Sequence, residues 1–244
     1  MKVIDAFWEK RNLGVCCKEV TFDVGADIVL VDSIKDICKE TDYIVAKVPT
    51  GRFDINESLT SQGFTFIECS INCYLQLKDA VLTPLQIRLN NALPYQEMND
   101  SDIAQLFSEI KNGLFSTDRI ILDSHFTKEQ SANRYVNWIT DELSKTSKIY
   151  KVTYKDDAIG FFTFKSVSDG IYYPFLAGLY PKYASSGLGF ATLRKPIEEA
   201  IRREGKAIST YVSSNNLAVI KAHIQQGYTI NNIQNVFVKH NNIK

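Results

Sequence analysis

The chain has 244 residues, enough for one large domain or two small ones, and its 45% hydrophobic and 23% charged residues are those of a soluble globular protein. Lys+Arg and Asp+Glu balance at 28 each, which excludes a bulk field favouring nucleic acid or an anionic membrane, so an anionic ligand must be gripped locally. No apolar run is long enough to span a bilayer, and the start MKVIDAFWEKRN lacks a signal peptide's apolar core, so a cytoplasmic protein without a membrane partner is expected.

In chain order, VCCKEVTF (15–22) and DYIVAKVP (42–49) read as strands flanking a helix at 33–40. A short helix at 54–62 stops at Gly63, and FTFIECSINCYLQL (64–77) alternates as a longer strand. The Asn- and Pro-bearing stretch 81–100 reads as a domain junction, which divides the chain into 1–95 and 96–244. Helices are predicted at 101–112 and 127–145. Three antiparallel strands follow from Ile149 to Tyr180, with turns at KDD and VSDG. A helix from Gly187 to Glu204, the strand AISTYVS, a helix closed by Gly227 and a last strand complete an α/β (α+β) layered pattern. Cys16, Cys17, Cys38, Cys69 and Cys73 form no CxxC pair and have no histidine nearby in sequence, so inert thiols and no metal are expected.

The segment 44–66 aligns without gaps on 208–230 at a constant offset of 164. Identities are few (Val48/Val212, Gln62/Gln226, Gly63/Gly227, Thr65/Thr229), but both copies read strand, loop, helix, Gln-Gly-aromatic-Thr, strand. The first copy has Arg52 where the second has Asn216, and Leu59 where it has His223, which places the chemistry in the second copy.

The stretch PKYASSGLGFATLRK (181–195) carries the strongest chemical signal. Glycines at 187 and 189 between strand and helix allow the backbone to curl around an anion at a helix N-terminus, where unpaired N–H groups and the dipole converge. A triphosphate loop needs G-x-x-x-x-G-K-[ST], which is absent, and a dinucleotide loop needs a third glycine where Thr192 stands. LYPKYASSGLGFATL, followed by YVSSNNLAVIKAHIQQGY, resembles the paired signature of the GNAT acetyltransferase superfamily over roughly residues 120–240. Within it, the N-terminal half, FWEKRNLG and ILDSHF…NRYVNWI are similar to the dTDP-fucosamine acetyltransferase (WecD-like) group.

The resemblance implies a GNAT fold, a mostly antiparallel mixed sheet flanked by helices, preceded by a partial GNAT-like half-domain. It implies acetyl-CoA as co-substrate, held by Leu179, Ala184, Ser185, Ser186, Gly187, Leu188, Gly189, Phe190, Ala191 and Asn216. The acceptor it implies is a small-molecule primary amine, a nucleotide-linked amino sugar for bacterial polysaccharide; a homodimer is compatible with it, and other amines or a catalytically silent CoA binder are its rivals. Two positions depart from the family. Ala184 stands where Gln or Arg is usual, with Lys182, Arg194 and Lys195 as candidates to compensate, and His223 stands where a tyrosine normally protonates the departing thiolate.

As an imidazolium, His223 could supply that proton; otherwise it packs beside Val219, Ile220 and Ile224. Asn216 suits a helix cap and a pantetheine contact alike, and backbone N–H groups around Leu176–Leu179 suit an oxyanion. His125 is expected to line the acceptor pocket, to serve as base through a water, or to anchor a loop. Tyr135 and Trp138 read as core before sugar platform, and His240 as solvated.

Overall fold

The computed structural model describes residues 1–39 and 41–241; the Cys38 side chain lies outside the described set. In chain order the elements are β1 (Lys2–Asp5), α1 (Trp8–Leu13), β2 (Cys17–Thr21), α2 (Ile34–Lys39), β3 (Tyr43–Pro49), α3 (Phe53–Ser61), β4 (Thr65–Gln76), α4 (Pro84–Asn91), β5 (Tyr95–Glu97), α5 (Asp100–Lys111), α6 (Arg119–Leu122), α7 (Lys128–Leu143), β6 (Lys148–Tyr154), β7 (Asp157–Ser168), β8 (Ile171–Tyr173), β9 (Ala177–Leu179), α8 (Gly189–Arg202), β10 (Ala207–Ser213), α9 (Leu217–Gln225) and β11 (Thr229–His240). The stretch 81–100 is more ordered than its composition suggests. Thr83 and Gln86 form a reciprocal capping box around Pro84 and start α4, and β5 follows.

Among the described residues the strands form one mixed, mostly antiparallel sheet in the order β1-β2-β3-β11-β4-β10-β8-β7-β6-β5, with β9 also pairing β7. The two halves 1–95 and 96–244 share it: β11 lies between β3 and β4, and β4 lies between β11 and β10. The internal repeat fixes this arrangement. β3, α3 and β4 recur as β10, α9 and β11, every boundary displaced by the same 164 residues. The pairing repeats too. Tyr43 faces His240 and Pro49 faces Gln234 in β3–β11, while their counterparts Ala207 and Ser213 face Gln76 and Ser70 in β10–β4. Each copy has thus handed its second strand to the other, across a pseudo-twofold axis between β4 and β11.

Helices cover both faces of the C-terminal half. α8 buries Ala191, Ile197 and Ala200 against Ile71, Leu75, Phe162 and Phe164. On the opposite face, Leu106 and Ile110 of α5 and Tyr135 and Ile139 of α7 pack on Ile149 and Phe161. Around β2 and β3, Val20, Ile44, Val48, Ile55, Leu59 and Phe237 form a separate core closed by Val31 and Ile34. No helix is long and apolar enough to cross a membrane, among the described residues.

Candidate active site

The third predicted strand is broken, and the break makes the site. β8 runs parallel to β10 only at Ile171–Tyr172, beside Ala207–Ile208. Beyond it the two arms part: β9 turns to β7 and β10 stays on β4. The Thr210 hydroxyl donates to the Pro174 carbonyl at 3.1 Å as the last tie across the apex. The bonds Thr163 N–H to Leu176 O and Tyr180 N–H to Ile159 O, each 2.8 Å, set the ladder's parity. In an antiparallel pair, bonded and non-bonded positions alternate, so the N–H groups of Ala177 and Leu179 point away from β7 into the fork. Leu176 N–H is consumed by Thr163 Oγ1 at 2.7 Å, which narrows the predicted oxyanion donors to Ala177 and Leu179. Gly160 permits the close approach of β9: a Cβ there would lie 2.4 Å from the Gly178 carbonyl.

Below this arm, Pro181–Tyr183 makes one 3-10 turn and residues 184–188 lead into α8. Ser186 folds the loop on itself, donating from Oγ to Tyr183 O at 2.6 Å and accepting from Leu188 N–H at 3.2 Å. Gly187 has φ +76°, the left-handed region. Among the described residues no loop acceptor receives the N–H of Ser185, Gly187 or Gly189, and the helix start adds orphan donors. Ala184 and Gly189 line the cavity above, Leu188 packs against the core, and Ala191 is buried within it. The three candidates to compensate for Ala184 all have other partners here. Lys182 pairs with Asp157 at 3.3 Å, Arg194 reaches towards Ala80 O, and Lys195 donates to Asn90 O at 2.9 Å and to Glu198. None of the three lines the cavity.

The other arm leads through β10 to α9. Asn216 caps that helix by accepting from Val219 N–H at 3.3 Å, and it also lines the cavity. His223, 4% exposed, lines the cavity two turns further on. Its Nδ1 lies 2.8 Å from Val219 O. A carbonyl only accepts, so Nδ1 carries the proton and, in the neutral ring, Nε2 holds a lone pair. Burial lowers the His223 pKa below its usual 6.5, which favours a neutral resting ring able to receive a proton before giving one. Tyr228 packs edge-on against it at 4.8 Å, and burial holds its phenol protonated.

The cavity is about 930 Å³ and takes walls from both halves, including Trp8, Arg11, Glu19, Lys47 and Glu68 from the first. Its cations are all matched: Arg11–Asp141 2.6 Å, Arg119–Glu9 3.1 Å, Arg119–Glu19 3.0 Å, Arg134–Glu9 2.8 Å, Lys47–Glu19 2.8 Å, Lys145–Glu142 3.0 Å. Glu68 differs. It accepts a hydrogen bond from Ser213 on the fork's second arm, no cation pairs with it among the described residues, and burial raises its pKa. The sequence offered no signal for Glu68 beyond a charge in an alternating strand.

Tyr135 and Trp138 belong to both readings, touching the core and the cavity at once. His125 does not line the cavity; it stacks on His240 at 3.8 Å, and both rings address Asp123. Of the readings offered for His125, its contacts with Asp123 fit the loop anchor, and His240 is not solvated but 13% exposed at the side chain. Of the cysteines, burial pushes Cys17 up to about 12 and raises Cys73, and Cys16 is exposed.

No family model matches the sequence, and no curated protein matches it. Solved structures do. A GCN5-related N-acetyltransferase from Sphaerobacter thermophilus superposes with a TM-score of 0.60 at 9% identity, over 81% of this chain and 59% of that one. The chain thus spans less than two thirds of that protein's length. A GCN5-related N-acetyltransferase from Kribbella flavida gives 0.57 at 10% identity over 92% and 81% of the two chains. A tandem GNAT protein from the clavulanic acid biosynthesis pathway gives 0.54 at 9% identity, over 87% and 68%. At these identities the likeness is one of fold, and the fold of this chain is that of the GCN5-related N-acetyltransferases.

Proposed function

We propose that the protein is an acetyl-CoA-dependent N-acetyltransferase acting on a primary amine of a small molecule. The fork carries this reading. Two parallel strands that part just where one exposes outward N–H groups make a slot for an extended amide-bearing chain, and the slot ends on a loop of unclaimed amides. Acetyl-CoA matches both features, with its pantetheine amides along Ala177 and Leu179 and its pyrophosphate at residues 184–190. With Lys182, Arg194 and Lys195 engaged elsewhere, the phosphates are held by backbone donors.

The chemistry then needs two proton transfers. The ammonium of the acceptor gives its first proton to Glu68, whose raised pKa suits a base, and the neutral nitrogen attacks the thioester carbon. The oxyanion is met by an outward N–H of the first arm. The second proton leaves the nitrogen for His223 Nε2 and passes to the departing sulfur, giving an amide and a free thiol.

The resemblance implied a nucleotide-linked amino sugar as acceptor. The matched cations of the cavity favour the other class, an amino acid, polyamine or drug-like amine, because a diphosphate would find no spare cation while an ammonium finds Glu68. Free-thiol release from acetyl-CoA with a panel spanning both classes tests this. Turnover of cationic amines, and little with a dTDP-amino sugar, is expected. CoA binding by calorimetry with no amine turned over would show a silent binder instead, and light scattering would show whether a homodimer forms.

A further inference from the structure

A second cluster of chemically able side chains lies outside the cavity. Asp123 ends α6, His125 stands in the turn before α7, and His240 closes β11, so three distant segments converge. His125 Nδ1 is 3.0 Å from Asp123 Oδ1, and His240 Nε2 is 2.7 Å from Oδ2. One donor atom from each of the three residues lies within 4.8 Å of the others. The Asp123 side chain is 4% exposed, and among the described residues no lysine or arginine pairs with it. Two imidazoles are thus its only counter-groups. His240 is pinned between Tyr43 (4.7 Å, stacked) and His125, and among the described residues its buried Nδ1 has no partner and the carboxylate is the ring's one polar engagement.

We infer that Asp123, His125 and His240 form a binding site for a divalent first-row transition ion, Zn²⁺ or Co²⁺ rather than Mg²⁺ or Ca²⁺. Two imidazoles and one carboxylate are a borderline donor set that suits zinc, cobalt and nickel, whereas the hard cations take oxygen alone. The ion supplies a positive charge to a buried carboxylate that no lysine or arginine pairs among the described residues. Donors ~2.1 Å from one tetrahedral centre lie ~3.4 Å apart, a spacing that falls between the 2.7 Å contact and the 4.8 Å limit found here, so small side-chain shifts complete the site. His125, 50% exposed at its side chain, is the ligand free to turn, and it leaves the remaining positions open to water. The site joins the end of β11 to the α6–α7 turn, and none of its three residues lines the cavity.

The test is titration of untagged protein with Zn²⁺ by calorimetry and with Co²⁺ by visible absorption, with a Cys16→Ser control because that thiol is exposed. One ion per chain, a Co²⁺ d–d spectrum and a melting temperature that rises with Zn²⁺ and falls back with EDTA are expected. His125→Ala should weaken binding by more than ~10-fold, the lower end of what losing even an outer-shell partner costs, and His125→Ala/His240→Ala should abolish it. Saturable binding that survives the double variant, or none at millimolar metal, overturns the assignment. Should the double variant fail to fold, His125→Ala alone decides, since its half-exposed ring carries little packing.

Discussion

Burial keeps the His223 imidazole neutral, so its contribution is a lone pair aimed at the cavity. Replacing it with Phe preserves the packing on Tyr228 and removes the proton carrier. A fall in kcat of about 10²–10⁴-fold is expected with CoA affinity unchanged, read by thiol release and calorimetry. Tyr228→Phe separates the two neighbours: activity within a few-fold of wild type leaves His223 as the carrier. Glu68→Gln should also lower kcat while sparing CoA binding. Because Glu68 must be ionised to act and its pKa is raised above 4.5, the acid limb of the wild-type rate profile should lie above that value and disappear in the variant. The two residues differ in how they could be read beforehand. His223 stands seven positions after Asn216 on one helix, a local spacing that a single chain displays. Glu68 meets Ser213 only through the β4–β10 pairing, which no local pattern encodes.

At the scale of elements, the loop and the fork can be tested separately. A Cβ at Gly187 would meet no atom of the protein, so the protein itself leaves room there; what the position asks for is a left-handed φ and open space before the amides. Gly187→Val should therefore abolish CoA binding, whereas Gly187→Asn, whose side chain tolerates the left-handed region, should retain it within about tenfold, and calorimetry distinguishes them. Equal loss in both would mean that φ is not what matters. Most elements were legible from periodicity and punctuation: the helix after Gly187 and the turn at KDD lie where glycine and positive-φ residues put them. Two were not. α4 hid behind its Asn and Pro content, although Thr83, Pro84 and Gln86 are a start signal. The gap between β8 and β9 is set by Thr163 and Thr210, which capture Leu176 N–H and Pro174 O from neighbouring strands, a tertiary cause with no local trace.

At the scale of the molecule, acid should act through a few buried carboxylates. Glu199 accepts from Tyr95, Tyr150, Arg202 and Arg203, and those donors hold it near 2 despite burial; Arg119 and Lys47 hold Glu19 near 2 likewise. A depressed folded pKa stabilises above the ordinary value of about 4.5 and loses that stability as the pH falls towards 2. Urea midpoints measured from pH 5 to pH 2.5 should drop more steeply for the wild type than for Glu199→Gln, which keeps the shape and loses the titration. The strand exchange has its own test. Removing residues 229–244 takes out the strand between β3 and β4, so the remainder should show no cooperative unfolding by circular dichroism.

The same exchange sets an order on assembly in time. β4 leaves the ribosome early, but both of its neighbours, β10 and β11, are still to be made, and β11 comes later of the two. Residues 77–228 intervene, about 8–30 s of synthesis at about 5–20 residues per second. Throughout that interval β3 and β4 present open hydrogen-bonding edges, the kind of surface that chaperones cover and that pairs wrongly with other chains. Folding of this protein is therefore closed by its last strand, and slow-codon or chaperone-depletion experiments should find its yield most sensitive while that strand is awaited.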